Sequence, residues 1–514
     1  MIMHPLSNLT RLWPSLLLFV LVTTLHAGTD PRKPNIILIY ADDLGYGDLG
    51  CYGAKLIPTP NIDKIAGEGL RFTNGYATSG TCTPSRYALL TGQYPWRIGA
   101  RILKGDAAMI VKPGTPTLPS LLKDVGYRTG AIGKWHLGIG NGDLDWNKPI
   151  YPCPNDVGYD YSFIMAATMD RVPCVYVRNG QVVGLDPTDP LEVSYSKPFP
   201  GMPIGRNSPE GIRLKPSHGH NEAIVNGVPR IGYFKGGKAA QWIDEDMADT
   251  YTNEAFKFME ENKDRPFFLY LGYSDPHVPR LPNKRFLGTT TLGTRGDSIV
   301  EFDWCAGEIM KKLQRLGLDQ NTLVIVSSDN GPVLDDGYQD NAKEMLNGHT
   351  PWGPLQGGKY SSYEAGTRVP FIVRWPGQIK PGVSEAMVCQ IDFAASFAAL
   401  TGRPLKPEEA PDSWNVLPAL LGESTKARDY LVTDASKGGL SIREGNWKLM
   451  ADGGKKKGKN MKDDNAEKER DKKLFDLSHD LGETTNLADK NPEKVEALLN
   501  LLEKVKASQH TRPN

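Results

Sequence analysis

The chain has 514 residues, with 60 Lys and Arg against 60 Asp and Glu, so its formal net charge is zero. That balance argues against a dedicated nucleic-acid binder, which is usually basic. Its 54 Gly and 39 Pro stay below low-complexity levels, and 39% apolar residues are ample for a large core. A loop-rich enzyme fits these figures better than a helical bundle or coiled coil.

The first 27 residues read as a signal peptide. Arg11 supplies a positive start, residues 12–25 are mostly apolar, and Leu25-His26-Ala27 resembles a cleavage site. The apolar run is shorter than the roughly 20 residues of a membrane span. No later segment is longer, so no stable membrane anchor is expected. The mature protein is expected in the periplasm or outside the cell.

Four short apolar runs follow, each ending in polar residues. Residues 35–40 (NIILIY) precede Asp42 and Asp43, and residues 127–132 (YRTGAI) precede Lys134 and His136. Residues 266–273 (PFFLYLGY) precede Asp275 and His277, and residues 322–327 (TLVIVS) precede Asp329 and Asn330. Continuous runs of this kind suit parallel strands buried on both faces. Active sites of such sheets lie at the carboxyl ends of the strands, where these polar residues fall.

Between the runs, residues 296–317 carry an amphipathic helical pattern. Residues 140–240 are rich in Pro, Gly and aromatics, and read as a loop-like insertion that could wall a substrate site. Cys153 and Cys174 are candidates for a disulfide in an oxidising compartment. Composition shifts near residue 423. Residues 443–450 read as a strand, 455–473 as a charged solvated hairpin loop, and 492–508 as a closing amphipathic helix. The expected fold is α/β, a large, mostly parallel mixed sheet sandwiched by helices. The expected division is signal peptide 1–27, catalytic domain 28–422 and a small α+β subdomain 423–514.

The most informative stretch is Cys82-Thr83-Pro84-Ser85-Arg86, followed by Leu90-Thr91-Gly92. Pro84 suits a first helical turn and Gly92 a C-terminal cap. Cys82 would then sit at a helix N-terminus, which favours an anion, with the fixed charge of Arg86 one turn on. Cys-x-Pro-x-Arg with Leu-Thr-Gly resembles the signature of formylglycine-dependent type I sulfatases of the arylsulfatase family. The resemblance runs through nearly the whole mature chain and implies an alkaline-phosphatase-like fold.

In that family the signature Cys is oxidised to formylglycine by a maturation enzyme, and its hydrated aldehyde is the nucleophile. The resemblance therefore implies formylglycine at Cys82, and metal binding by Asp42, Asp43, Cys82, Asp329 and Asn330. The carboxylate and amide oxygens suit a hard cation, Ca²⁺ ahead of Mg²⁺. It assigns Lys134, Lys359 and Arg86 to the sulfate, His277 to protonating the leaving oxygen, and His136 to taking the proton that expels sulfate. A gem-diol can lose its sulfate this way, whereas a plain serine would remain sulfated.

The family contains aryl, lipid and carbohydrate sulfatases. Within the insertion, Asp170, Arg171 and His220 could bracket a sugar hydroxyl. The chain resembles extracellular bacterial carbohydrate sulfatases, and the insertion resembles the branch acting on 6-sulfated galactose or N-acetylgalactosamine. The expected function is exo-acting removal of sulfate from a glycan, including glycosaminoglycan or mucin sugars. The competing readings are an arylsulfatase, a phosphonate or phosphodiester hydrolase of the same superfamily, and a non-catalytic sulfated-glycan-binding protein.

Overall fold

Ten strands make one sheet in the order Gly382–Ser384, Leu70–Phe72, Phe371–Arg374, Thr322–Ser328, Asn35–Ala41, Phe267–Gly272, Arg128–Lys134, Tyr161–Met165, Tyr176–Arg178 and Gln181–Val182. The five from Thr322–Ser328 to Tyr161–Met165 are mutually parallel. The computed structural model describes residues 1–2, 33–142, 144–436, 439–451 and 472–513.

The parallel strands are covered on both faces, so their sequences need no alternation. Every residue of Asn35–Ala41, Phe267–Gly272 and Thr322–Ser328 is buried. Ile37 is paired with Leu269 on one side and Val324 on the other, and Ile39 with Leu271 and Val326. Cys82–Thr91, Leu118–Lys123 and Phe393–Leu400 form one packed group of helices. Pro60–Gly67, Met247–Asn262 and Gly293–Arg315 form another.

All four expected strands lie in the parallel centre, each within two residues of its expected ends. The expected helix 296–317 runs Gly293–Arg315. The insertion departs from the loop reading. Tyr161–Met165 extends the parallel set, and Tyr176–Arg178 and Gln181–Val182 continue the sheet to its edge. These strands are only two to five residues long, too short to stand out among the surrounding turns.

The C-terminal region is a four-stranded antiparallel sheet, Tyr430–Asp434, Leu440–Glu444, Trp447–Met450 and Lys473–Asp476. The expected single strand 443–450 is a hairpin. Gly445 turns it in the left-handed region at φ 55°. Helix Pro492–Ala507 lays Leu498, Leu502 and Val505 against Leu431, Ile442, Leu449 and Leu474. Residues 33–514 form one compact unit.

The expected signal peptide, apart from residues 1–2, and most of the charged run 455–473 lie outside the described residues. No described helix is long and apolar enough to cross a membrane. All six cysteines are free thiols, so Cys153 and Cys174 are not bridged.

One buried charge cluster ties the small sheet to helix Glu364–Thr367 and to Tyr76. Lys448 contacts Glu364 at 3.0 Å and Glu483 at 2.8 Å. Glu364 also pairs with Arg368 at 3.2 Å and accepts a hydrogen bond from Tyr76, whose oxygen in turn accepts one from Arg443. Burial works against a charged Glu364, but Lys448, Arg443 and Arg368 outweigh it and hold the carboxyl below its ordinary value. Glu364→Gln strips these buried cations of their shared anion and should cost about 3 kcal/mol in denaturant unfolding. The folded pKa lies below the unfolded one. The contribution is therefore present above pH 4.5 and is lost as pH falls through the folded value, so the variant's deficit should shrink on acidification.

Candidate active site

The four central strands with polar endings open on one cleft because adjacent parallel strands share a carboxyl edge. Asp42 and Asp43 follow Asn35–Ala41, Lys134 closes its strand with His136 two residues on, and Asp329 and Asn330 follow Thr322–Ser328. His277 lies on the loop after Phe267–Gly272, where the backbone N–H of Asp42 donates to the Asp275 carbonyl at 3.1 Å. Asp43 (φ 65°) and His136 (φ 53°) adopt left-handed backbone, a strain concentrated at the cleft. Gly133 (φ 97°) sits where any Cβ would collide with the Gly272 carbonyl, so the neighbouring strands can close only around glycine.

Cys82 is the first residue of helix Cys82–Thr91, which is buried throughout. Thr81 enters it in extended conformation, and Gly92 ends it at φ 63°. Cys82 Sγ lies 3.2 Å from His136 Nδ1. The other ring nitrogen, Nε2, lies 3.0 Å from the Leu103 carbonyl, which can only accept. His136 therefore carries its hydrogen on Nε2 and presents a bare Nδ1 to residue 82. Burial, then Lys134 and Arg171, push its pKa well down and keep it neutral. Burial also raises the Cys82 thiol, more than Lys134 and Lys359 lower it, so an unaltered Cys82 is a protonated thiol and a weak nucleophile.

Charges in the cleft are paired residue by residue. Arg86 grips Asp329 Oδ2 through Nε at 2.9 Å and Nη2 at 2.8 Å, and also contacts the Tyr270 hydroxyl. Lys134 donates to Asp42. Lys359 donates to Asp43 Oδ2 at 2.9 Å and to Asp336 Oδ2 at 2.8 Å. Asn330 Nδ2 donates to Asp43 Oδ1 at 2.7 Å. His277 Nδ1–H donates to the Val278 carbonyl at 2.7 Å, leaving Nε2 3.8 Å from Asp43 Oδ2. Burial, then Lys359 and Lys134, hold the His277 pKa well below its ordinary value.

Two oxygens are left over. Asp42 Oδ1 and Asn330 Oδ1 are buried without a hydrogen-bond partner. A buried polar atom without a partner costs about 1–3 kcal/mol. Burial and then Asp329 raise the Asp42 carboxyl, and burial raises Asp43 against the pull of Lys359. Asp42, Asp43 and His277 offer ligand atoms within 4.8 Å of one another. Unpartnered carboxylate and amide oxygens beside acidic groups fit a divalent cation and its preference for oxygen.

Asp170, Arg171 and His220 come together beside this cleft. Asp170 accepts from Arg171 Nη1 at 2.9 Å, and His220 Nε2 lies 2.7 Å from its other oxygen. Burial opposes ionisation of Asp170, but Arg171 and His220 outweigh it and hold the carboxyl well down. Gly337 (φ 110°) permits this, because a Cβ there would strike the His220 ring. Arg171 feels the charge of Asp336, and Asp170 that of His277, so the two groups share one electrostatic environment. Sequence reasoning missed Asp336, Tyr360 and Tyr270. Asp335-Asp336-Gly337 has the composition of an ordinary turn, and nothing in it signals a partner for Lys359.

The Sulfatase family profile matches residues 34–403. A Bacteroides thetaiotaomicron protein named N-acetylgalactosamine-6-O-sulfatase is 50% identical over 98% of this chain and 100% of its own. Human arylsulfatase A is 33% identical over 81% of this chain and 74% of its own. A solved B. thetaiotaomicron structure from work on the metabolism of multiple glycosaminoglycans superposes with a TM-score of 0.90, at 51% identity, over 93% of this chain and 100% of that one. The chain belongs to the sulfatase family. It is a sulfuric ester hydrolase on a mixed, mostly parallel sheet flanked by helices.

A divalent cation bound here should stabilise the fold. With free cation at about a hundredfold over Kd, the expected gain is about 2.7 kcal/mol, read as a rise in Tm. Asp42→Asn should remove most of that rise. Wild-type protein with no response to Ca²⁺, Mg²⁺ or Mn²⁺ after chelation would count against a metal at these oxygens.

Proposed function

We propose that the protein is an exo-acting carbohydrate sulfatase, with 6-O-sulfated N-acetylgalactosamine or galactose as its substrate. The observation that carries this reading is the 50% identity, over essentially full length, to a protein named for 6-O-desulfation of N-acetylgalactosamine. The built cluster of Asp170, Arg171 and His220 beside the cleft adds support, since a buried acceptor between two donors is suited to reading a sugar hydroxyl.

In this reading, formylglycine made from Cys82 by a maturation enzyme would supply a geminal-diol hydroxyl, and a Ca²⁺ ion held by Asp42, Asp43, Asp329 and Asn330 would lower its pKa and screen the sulfate. Arg86, Lys134 and Lys359 bind and orient the sulfate and balance its charge. Each is already fixed by a carboxylate, so little rearrangement is needed when the anion arrives.

His136 takes a proton at Nδ1, the bare nitrogen facing residue 82, while Nε2–H stays on Leu103. His277 must carry a proton on Nε2 to give it to the leaving oxygen. The same lysines that depress its pKa are those a sulfate would neutralise. Burial is the larger cause of that depression, and a bound sulfate relieves only the part due to the lysines, in the direction of protonating His277. A sugar alkoxide is a poor leaving group, which is why an acid is needed. The chain is read as a periplasmic or secreted protein cleaved near Ala27, with a catalytic domain 28–422 and a C-terminal subdomain 423–514.

Sulfate release from a panel of 6-, 4-, 3- and 2-sulfated sugars, with mass analysis of the peptide around Cys82, tests the reading. Release from the 6-sulfated galacto sugar together with a mass for formylglycine is expected. Faster turnover of phosphate mono- or diesters, or an unmodified thiol in active protein, would overturn it. Asp170→Ala and His220→Ala should each lower kcat/KM on the sugar about a hundredfold, the worth of a hydrogen bond to a charged group, and spare a simple aryl sulfate. Equal losses on both substrates would remove the sugar-reading role.

A further inference from the structure

Tyr360 stands next to Lys359 and is the large aromatic left exposed at this edge of the cleft, with 37% of its surface open. Its backbone is left-handed, at φ 74°. A bulky residue is disfavoured there, and glycine would adopt the same conformation freely. The surroundings force the conformation nonetheless. The Tyr360 N–H donates to the Gly80 carbonyl at 2.7 Å, two residues before Cys82. Its carbonyl accepts from the Ser436 N–H at 3.4 Å, from the C-terminal sheet.

The ring is fixed as firmly as the backbone. Its hydroxyl donates to Asp336 Oδ1 at 2.8 Å, and the other oxygen of Asp336 holds Lys359. The Lys359 ammonium lies 5.3 Å from the ring centroid. The ring is thus tethered at its hydroxyl, backed by a buried cation and open to solvent. A strained backbone that presents an immobilised aromatic surface beside a catalytic cleft points to a use for the side chain itself.

The residues at this mouth are graded by depth. The side chain of Lys359 is 1% exposed, Asp170 3%, His220 10% and Arg171 16%. In the proposed sulfatase activity these buried groups enclose the sulfated unit. Tyr360 lies beyond them, on the outer lip. We propose that Tyr360 is a specificity-determining residue, the platform on which the sugar next to the sulfated one stacks. The chemistry is that of a pyranose ring laying its C–H face on an aromatic plane. The protein would then distinguish a sulfated unit at the end of a glycan from the same unit as a free monosaccharide. This inference rests on the proposed carbohydrate sulfatase activity.

The test compares 6-sulfated N-acetylgalactosamine with a di- or trisaccharide ending in it, using mature wild-type protein, Tyr360→Gly and Tyr360→Phe. Sulfate release from the monosaccharide by wild type establishes the underlying activity. Its absence from every substrate would count against carbohydrate desulfation itself, an outcome distinct from a failure of the platform alone. Relative to Tyr360→Phe, which loses the same hydroxyl contact to Asp336, Tyr360→Gly should raise the ratio of oligosaccharide KM to monosaccharide KM about threefold to tenfold, the scale of an aromatic stacking contact. Its Tm should equal or exceed wild type, because glycine relieves the left-handed strain. Tyr360→Phe loses the hydroxyl tether but keeps the ring, and should keep the wild-type ratio of the two KM values. Equal loss on both substrates, no loss on either, or loss in Tyr360→Phe matching that in Tyr360→Gly would overturn the platform.

Discussion

Everything in the cleft answers to one constraint, that charge removed from water must be balanced where it stands. Asp42, Asp43, Asp329 and Asp336 converge with Arg86, Lys134 and Lys359 in a space that water barely enters. An isolated charge there would be prohibitive, so each cation is fixed on a carboxylate. The parallel sheet makes this possible by bringing four strand ends to one edge with a fixed spacing. The price is local strain at Asp43 and His136 and an obligatory glycine at 133. One oxygen each of Asp42 and Asn330 escapes the pairing.

The same rule governs how the small C-terminal sheet is held. Its strands contribute Arg443 and Lys448 to an anion, Glu364, on helix Glu364–Thr367. The hairpin that carries them is therefore more than a cover for helix Pro492–Ala507. Ser436, on a turn of that sheet, also braces Tyr360 at the lip of the cleft. The C-terminal region thereby takes part in shaping the entrance as well as in closing the core.

The centre of the fold was legible in the sequence because burial on both faces removes ambiguity. Residues 35–40 or 322–327 can be little else than inner strands, and their polar endings must fall at one edge. The cleft was legible for the same reason, helped by the spacing of the Cys82 signature. Periphery was not. Strands such as Gln181–Val182 carry too few residues for a period to show. The turn at Gly445 was hidden inside a run that is apolar and polar by alternation on both sides. Asp336 and Tyr360 were missed because they meet only in the folded chain, 24 residues apart, and composition carries no trace of that contact.

Cys82 heads a helix with no residue exposed, and its own surface is 2% open. Helix Cys82–Thr91 packs against helices Leu118–Lys123 and Phe393–Leu400. A protein catalyst large enough to remodel that thiol has no way in once these layers have met. Any conversion of the side chain is thus a matter of timing. Burial of residue 82 therefore ties its reactivity toward outside catalysts to the folding of the layers around it.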